Sequence, residues 1–173
     1  MRIKIPKITP VVQKESFDCG PAAVATLLKI VGREDLARED IYERLGTSAE
    51  IGTRIDKIGQ FLLSEGIKIE EKVGATMLDL ENKIKEGKVC LVDYQAWGTE
   101  KEKNELLCGH YCVVFGVDEK EIYMFDPSIE TELETGLGIG VVKISKEAFD
   151  KRWVDKEVTG EVYDHWMIAV RTS

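Results

Sequence analysis

The sequence predicts an α+β fold in which N-terminal helices, one of them central and buried, pack on a mainly antiparallel sheet. Two observations support this prediction. The first half of the 173-residue chain has helical apolar spacing, whereas the second half consists of short strand-like stretches. The chain has the length of one ordinary domain and contains no repeat or flexible linker, so we expect a single domain over residues 1–173.

The central helix is predicted over residues 21–31, PAAVATLLKIV. Pro21 suits the first turn of a helix, and Gly32 suits its end. Because the stretch is apolar nearly all round, the helix should lie inside the core, where packing holds its N-terminus. Further helices are predicted over 35–45, over 53–65, and from a capping box of Thr76 and Asp79 to Gly87.

Strand-forming stretches follow in the second half of the chain. They span 89–95, 110–117, 121–126, 140–144 and 166–171. A short helix is expected after Ser145. We expect the helices to lie on one side of the sheet.

Composition excludes several classes of function. The net charge is −8 and lysines are interleaved with glutamates, which disfavours binding to nucleic acid or anionic lipid. No secretion signal or run of apolar residues long enough to span a membrane is found, so a cytoplasmic protein is expected. Lys and Glu dominate the charged residues while Asn and Gln are few, which is a pattern of thermophile proteins.

Cys19 is the candidate nucleophile. It directly precedes Gly20 and Pro21, at the positive end of the predicted central helix, where a thiolate is stabilised. Such a thiol is expected to react rapidly with iodoacetamide near neutral pH. The alternative is that Cys19 is a small buried apolar residue, as free cysteines often are. Asp18 is interpreted as a helix-capping side chain.

A cysteine nucleophile needs a base, and the chain has two histidines. His110 opens the most apolar strand, where a polar residue needs a partner, so we take it as the base. His165 lies beside Asp164 and is interpreted as a surface or structural residue.

Asp126 is our choice for orienting the imidazole, because a hairpin near Glu119 and Lys120 brings its strand beside that of His110. A two- or four-residue loop would pair Asp126 with Val113, one residue out of phase with His110. The hypothesis therefore requires an odd-length loop or a bulge, which would place Asp126 on the histidine's face of the sheet. Taken alone, Asp126-Pro127 is a plain turn signal.

Gln13 has a possible use in the same site. Its side-chain amide, with the backbone N–H of Cys19, could hold the negative oxygen that develops on an attacked carbonyl. An isolated glutamine is otherwise a surface residue.

A metal site is the competing interpretation of the cysteines. Cys108, His110 and Cys112 alternate on one strand, and Cys19 or Cys90 could add a fourth ligand. Alternate residues of a strand lie about 6.6 Å apart, however, which suits a tetrahedral site poorly.

Several motifs together resemble the bacteriocin-processing double-glycine peptidases, which include the papain-like peptidase domains of leader-cleaving exporters and their stand-alone relatives. The matching elements are Q-x5-C-G-P-A from Gln13, G-H-Y at 109–111, D-P at 126–127, VCLVDYQAWG at 89–98 and SKEAFDKRW at 145–153. The resemblance implies a papain-like cysteine peptidase acting on a peptide or protein, with Cys19 as nucleophile, His110 as base, Asp126 as orienting acid and Gln13 as oxyanion donor.

The exporter's membrane segments and ATPase are not in this sequence, so a stand-alone relative is expected, with no cofactor. A non-catalytic peptide-binding module of the same fold is the alternative. Trp97 and the loop 98–108 are expected to form a wall or lid of the cleft or a solvated connection. Trp153 is expected in the core.

Overall fold

The computed structural model describes residues 3–129 and 136–172. Its helices are α1 (Cys19–Ile30), α2 (Arg38–Leu45), α3 (Ile55–Ser64), α4 (Met77–Lys85), α5 (Glu100–Asn104) and α6 (Lys146–Arg152). Its strands are β1 (Ile69–Lys72), β2 (Lys88–Gln95), β3 (Gly109–Val117), β4 (Glu121–Phe125), β5 (Val141–Ser145), β6 (Val154–Lys156), β7 (Val162–Asp164) and β8 (Met167–Arg171).

Six strands form one sheet in the order β1-β8-β2-β3-β4-β5, and every neighbouring pair is antiparallel. Strands β6 and β7 make a separate antiparallel hairpin. The central strands β2 and β3 are buried over nearly their whole length. This architecture confirms the predicted α+β class with a mainly antiparallel sheet.

Helices cover both faces of the sheet, so the expectation that they lie on one side is wrong. Leu91, Tyr111 and Val113 pack in one core with the apolar residues of α1, α2 and α3. Successive strand residues point to opposite faces, and Cys112 accordingly packs in a second core with Phe149 of α6. A strand whose residues are nearly all apolar and buried, such as β3, predicts a sheet covered on both faces.

Helix α1 is the central buried helix that the apolar run predicts. It begins at Cys19, two residues before the predicted start, and Pro21 lies in its first turn. The chain leaves the helix through Gly32, whose φ of 79° suits a residue without a Cβ. Every residue from Cys19 to Leu28 is buried, so the position of Cys19 is fixed by packing on several sides.

A β-bulge in β3 sets the register between β3 and β4. Near the hairpin, Val117 pairs with Ile122, but beyond the bulge Val113 pairs with Phe125. The ladder therefore shifts by one residue between Val114 and Gly116. Extending the shifted register places Asp126 opposite Cys112. This is the bulge that the His110–Asp126 hypothesis requires.

Some short elements were not predicted. Strands β1, β6 and β7 have only three or four residues each, and α5 lies inside the segment that was interpreted as a loop. The predicted capping box at Thr76 and Asp79 is present, with both of its hydrogen bonds. Trp153 is fully buried as expected, and its Nε1 donates to the carbonyl oxygen of Trp166 at 2.8 Å.

Over residues 3–129 and 136–172, none of the helices combines the length and the apolar character needed to cross a bilayer.

Adjacent leucines in α3 provide a matched test of the helical core. Leu62 is fully buried, whereas Leu63 is 59% exposed. We expect Leu62→Ala to lower the free energy of unfolding by about 2–5 kcal/mol, because it leaves a cavity. Leu63→Ala should change it by less than about 0.5 kcal/mol. Urea denaturation of the two variants measures the difference, and equal losses would contradict the assigned face of α3.

Candidate active site

Cys19 is the first residue of α1 and lies against the start of β3. Its sulfur is approached by the backbone N–H groups of Gly20 and Tyr111, and Tyr111 directly follows His110 in the chain. The side chain is 9% exposed and lines a cleft of about 150 Å³. The thiol is therefore held by packing but open to a small group on one side.

The electrostatics of Cys19 differ from the sequence-based expectation of a lowered pKa. Burial raises the pKa of its thiol to about 12, and the charges of Asp93 and Asp18 also raise it. The N–H groups of Tyr111 and Gly20 act in the opposite direction and are outweighed. A pKa in this range predicts a neutral thiol near neutral pH, and therefore slow labelling in place of the rapid labelling expected from the sequence.

His110 and Asp126 form a buried hydrogen-bonded pair. The distance from His110 Nε2 to Asp126 Oδ1 is 2.6 Å, and His110 is fully buried. The same oxygen accepts from the backbone N–H of Ser128 at 2.8 Å and from its hydroxyl at 2.7 Å. Burial alone would raise the pKa of Asp126, but the hydrogen bonds from His110 and Ser128 lower it below its ordinary value.

The hydrogen bond to Asp126 sets the tautomer of His110. Because Asp126 is an ionised acceptor, the proton of a neutral imidazole lies on Nε2, which leaves Nδ1 with a free lone pair. Nδ1 is buried and has no hydrogen-bond partner among the described residues. The structure therefore brings His110 and Asp126 together but does not hydrogen-bond His110 to Cys19.

Gln13 lies in the segment that leads into α1. Its backbone N–H donates to the carbonyl oxygen of Pro127 at 2.9 Å, which ties this segment to the turn after Asp126. Its side-chain Nε2 donates to the carbonyl oxygen of Glu15 at 2.8 Å. An amide nitrogen carries two hydrogens, so one of them remains available. Its Oε1 is buried, and no described residue donates to it.

Asp18 does not cap α1 through its side chain, contrary to the interpretation from the sequence. Its carboxylate instead accepts from the backbone N–H groups of Lys14 and Glu15 and pairs with Arg38. The backbone at Asp18 has left the extended region that a capping residue needs, so the carboxylate turns back to the preceding loop. Asp18 thereby fixes the loop that carries Gln13.

Trp97 forms a wall beside the imidazole. Its ring centroid lies 4.2 Å from that of His110, and the side chain is 42% exposed. The segment after it contains α5, which begins with a capping box of Thr99 and Glu102. It rejoins the sheet where Cys108 N–H donates to the Gln95 side chain at 2.7 Å. Trp97 thus forms a wall, whereas residues 98–107 are mostly exposed, as in the alternative of a solvated connection.

The remaining candidates lie elsewhere. His165 is half-buried and pairs with Asp164 and Asp150, as expected for a structural residue. Across the described ranges, one cluster has ligand-type atoms within 4.8 Å of one another, and it consists of His110, Cys112 and Asp126 without Cys108. Two of its atoms are already joined by a hydrogen bond of 2.6 Å. The metal set of Cys108, His110 and Cys112 is therefore not assembled.

Sequence reasoning missed a pair of carboxyl groups beside Cys19. Asp93 and Asp155 are in hydrogen-bond contact, and both line the cleft that contains Cys19. Burial raises the pKa of both carboxyl groups, and that of Asp93 well above its usual range, where the neighbouring charge of Asp155 adds to the effect. Asp93 could have been noticed in the sequence, because a carboxyl group in the middle of the apolar β2 stretch needs a reason. No feature of the sequence around Asp155 indicates a role for it.

Asp155 explains why glycine precedes His110. The Gln95 side chain donates to Asp155 at 2.7 Å and to the carbonyl oxygen of Val154 at 2.9 Å. This holds the carboxyl of Asp155 directly over Gly109, where a Cβ would lie 2.5 Å from its Cγ. No larger residue fits at this position, so Gly109 admits the carboxyl and fixes the start of β3.

Comparison with known proteins gives one family. Residues 7–159 match the sequence profile of the Peptidase C39 family. No curated protein matches the chain at a significant level.

Solved structures share the fold. The peptidase domain of Streptococcus ComA, a bifunctional ABC transporter, has a TM-score of 0.65 at 21% identity and covers 94% of this chain and 97% of its own. A putative C39-like peptidase from Bacillus anthracis has a TM-score of 0.70 at 13% identity, covering 99% and 98%. A double-glycine-motif protease from an AMS/PCAT transporter, in complex with the leader peptide, has a TM-score of 0.63 at 19% identity, covering 96% and 94%.

The neutral thiol of Cys19 can be tested by alkylation. With a pKa of about 12, the rate of its reaction with iodoacetamide should be low near pH 7 and rise about tenfold per pH unit up to about pH 10. Mass spectrometry follows the labelled peptide, and Cys19→Ala identifies it. A rate that levels off near neutral pH would contradict the neutral thiol, because it would show a thiolate stabilised by the imidazole.

The close approach of Asp155 to Gly109 can be tested by a double-mutant cycle. Gly109→Ala should lower the free energy of unfolding by about 1–3 kcal/mol, because its new methyl group overlaps the carboxyl. In an Asp155→Ala background the same change should cost markedly less. Urea denaturation of the four proteins gives the coupling energy, and additive effects would rule out the contact.

Proposed function

Because the chain belongs to the Peptidase C39 family of papain-like cysteine peptidases, we propose that it cleaves a peptide amide through Cys19, His110 and Asp126, with Gln13 in the oxyanion hole. The observation that carries this proposal is the orientation of His110. Its hydrogen bond to Asp126 leaves Nδ1 unprotonated and unpartnered, at the end of β3 where Cys19 also lies. An imidazole held in this way is poised to accept a proton.

The first step transfers the thiol proton. Cys19 starts neutral, so its proton passes to His110 Nδ1 as the sulfur attacks the substrate carbonyl. This requires the sulfur and Nδ1 to come within hydrogen-bond distance when substrate binds, since catalytic hydrogen bonds often tighten only in the complex. Asp126 stabilises the imidazolium that forms.

The second step releases the amine. The tetrahedral oxyanion accepts from the Cys19 backbone N–H, at the N-terminus of α1, and from the free hydrogen of Gln13 Nε2. His110 then gives its proton to the leaving amine, and the carbon–nitrogen bond breaks. Water, activated by the same imidazole, hydrolyses the thioester and restores the thiol.

The substrate we propose is a peptide or an extended protein segment. A solved structure with the same fold holds a leader peptide. In this chain the cleft at Cys19 is open to solvent on one side and is flanked by the exposed apolar side chains of Ile51 and Val158. These surfaces suit an extended chain better than a compact small molecule.

We propose the cytoplasm as its location. All four cysteines are buried free thiols, as expected in a reducing compartment.

Removal of each proposed catalytic group should have a graded effect on peptide cleavage. We expect Cys19→Ala to abolish turnover, His110→Ala to lower kcat/KM about 10²–10⁴-fold, and Asp126→Ala to lower it less. His165→Ala is the matched control and should retain most activity, because His165 pairs with surface carboxylates.

Cleavage is measured on a peptide library, with far-UV circular dichroism to confirm folding of each variant. Turnover that survives Cys19→Ala would overturn the proposal. Peptide binding without any Cys19-dependent cleavage would instead identify a non-catalytic peptide-binding module.

A further inference from the structure

The cleft beside Cys19 has an acidic lining that the proposed chemistry does not use. It contains the side chains of Asp93, Asp155 and Glu157 together with Cys19 itself. Of its two cationic side chains, one is hydrogen-bonded to a carboxylate outside this group and the other is exposed. Arg54 makes two hydrogen bonds to Asp56, and Lys156 points to solvent. The lining therefore carries an excess of carboxyl groups within reach of a substrate bound at the thiol.

Two carboxylate oxygens in this cleft have no hydrogen-bond donor among the residues described. They are Asp93 Oδ1, in a residue that is 3% exposed, and Glu157 Oε2, in a side chain that is 6% exposed. The Arg54 Nε atom lies 3.7 Å from Glu157 Oε2, which is an ion-pair distance without a hydrogen bond. Leaving such an acceptor buried and unpaired costs about 1–3 kcal/mol or more, so a donor from outside the protein would be bound favourably.

The carboxyl groups are held rigidly in place. Asp155 accepts from Gln95 and rests on Gly109, and Glu157 accepts from the backbone N–H of Ile55. Side chains fixed in this way lose little entropy when they bind a ligand. The arrangement is therefore a preformed acceptor site.

The chemistry of the acceptors indicates an organic cation. In the described part of the chain these carboxylates do not form a cluster close enough to share one metal ion. A guanidinium carries five N–H donors on a planar fork and can reach separated acceptors, which a single ion cannot.

We propose that this cleft, defined by Asp93, Asp155 and Glu157, binds a positively charged side chain of the substrate, arginine above all, close to the scissile bond. The inference rests on the proposed peptidase function and adds a substrate class to it. The incoming guanidinium donates to Asp93 Oδ1 and to Glu157 Oε2, the two buried acceptors that lack a donor among the described residues. Its positive charge offsets part of the negative charge of the acidic lining.

The test compares arginine with citrulline, its uncharged isostere. Peptides differ only in carrying one or the other at each of the three residues before the scissile bond. At one of these positions kcat/KM should be about 10–100-fold higher for the arginine peptide than for the citrulline peptide. This ratio corresponds to the free energy of one charge-assisted hydrogen bond. Asp93→Asn and Glu157→Gln keep the shape of the site and should each reduce that preference severalfold. Asp40→Asn, at an exposed position of α2, is the matched control and should leave it unchanged.

A second measurement separates this inference from the peptidase proposal, because it needs no turnover. Cys19 is modified with aminoethyl methanethiosulfonate, which is cationic, and with the uncharged ethyl reagent. The ratio of their rates should fall in Asp93→Asn and Glu157→Gln but not in Asp40→Asn. If no peptide is cleaved yet this ratio falls, the cation site stands and the peptidase proposal fails. Peptides cleaved equally with arginine and citrulline, or a ratio unchanged in both cleft variants, would overturn the cation site.

Discussion

The hydrogen bond between His110 and Asp126 is the interaction on which the candidate site depends, and it depends in turn on one extra residue in β3. The two side chains can meet only if they project from the same face of the sheet. With the register at the hairpin end of the ladder, Asp126 would lie opposite Val113 and face α1. The bulge between Val114 and Gly116 moves it opposite Cys112, onto the face of His110. A local backbone irregularity thus creates the buried acid–base pair.

The buried side-chain atoms that lack a hydrogen-bond partner, among the residues described, all belong to the proposed catalytic residues or to the acidic cleft. Within the ranges that the structure describes, four buried side-chain atoms have no hydrogen-bond partner: Gln13 Oε1, Asp93 Oδ1, His110 Nδ1 and Glu157 Oε2. Folding alone would select against each of them, because an unpaired buried polar atom costs about 1–3 kcal/mol. Two of these atoms belong to residues that line the cleft of Cys19, and the other two belong to proposed catalytic residues. Unpaired buried atoms at such positions are the pattern expected where function, and not stability, decides the residue.

The sequence predicted those features that depend on local signals. The apolar run and Pro21 placed α1, and the scarcity of histidines led to His110. Features that depend on pairing between distant segments were harder to predict. The need for a bulge followed from counting residues around the hairpin, but nothing in the sequence located it at Val114–Gly116. The carboxyl of Asp155 reaches the cleft from the separate hairpin β6–β7, whose strands are too short to predict. The pKa of Cys19 was misjudged because the helix N-terminus was visible in the sequence and the extent of burial was not.

The tautomer of His110 is the most direct test of this account, because the proposed reaction requires Nδ1 to be free of a proton. Nitrogen-15 NMR of the unliganded protein at alkaline pH, where an ordinary imidazole is neutral, distinguishes the two ring nitrogens. With two histidines in the chain, His165→Ala assigns the signals. The account predicts a proton on Nε2 of His110 and none on Nδ1. A proton on Nδ1 would contradict it, since the imidazole could not then accept the proton of Cys19.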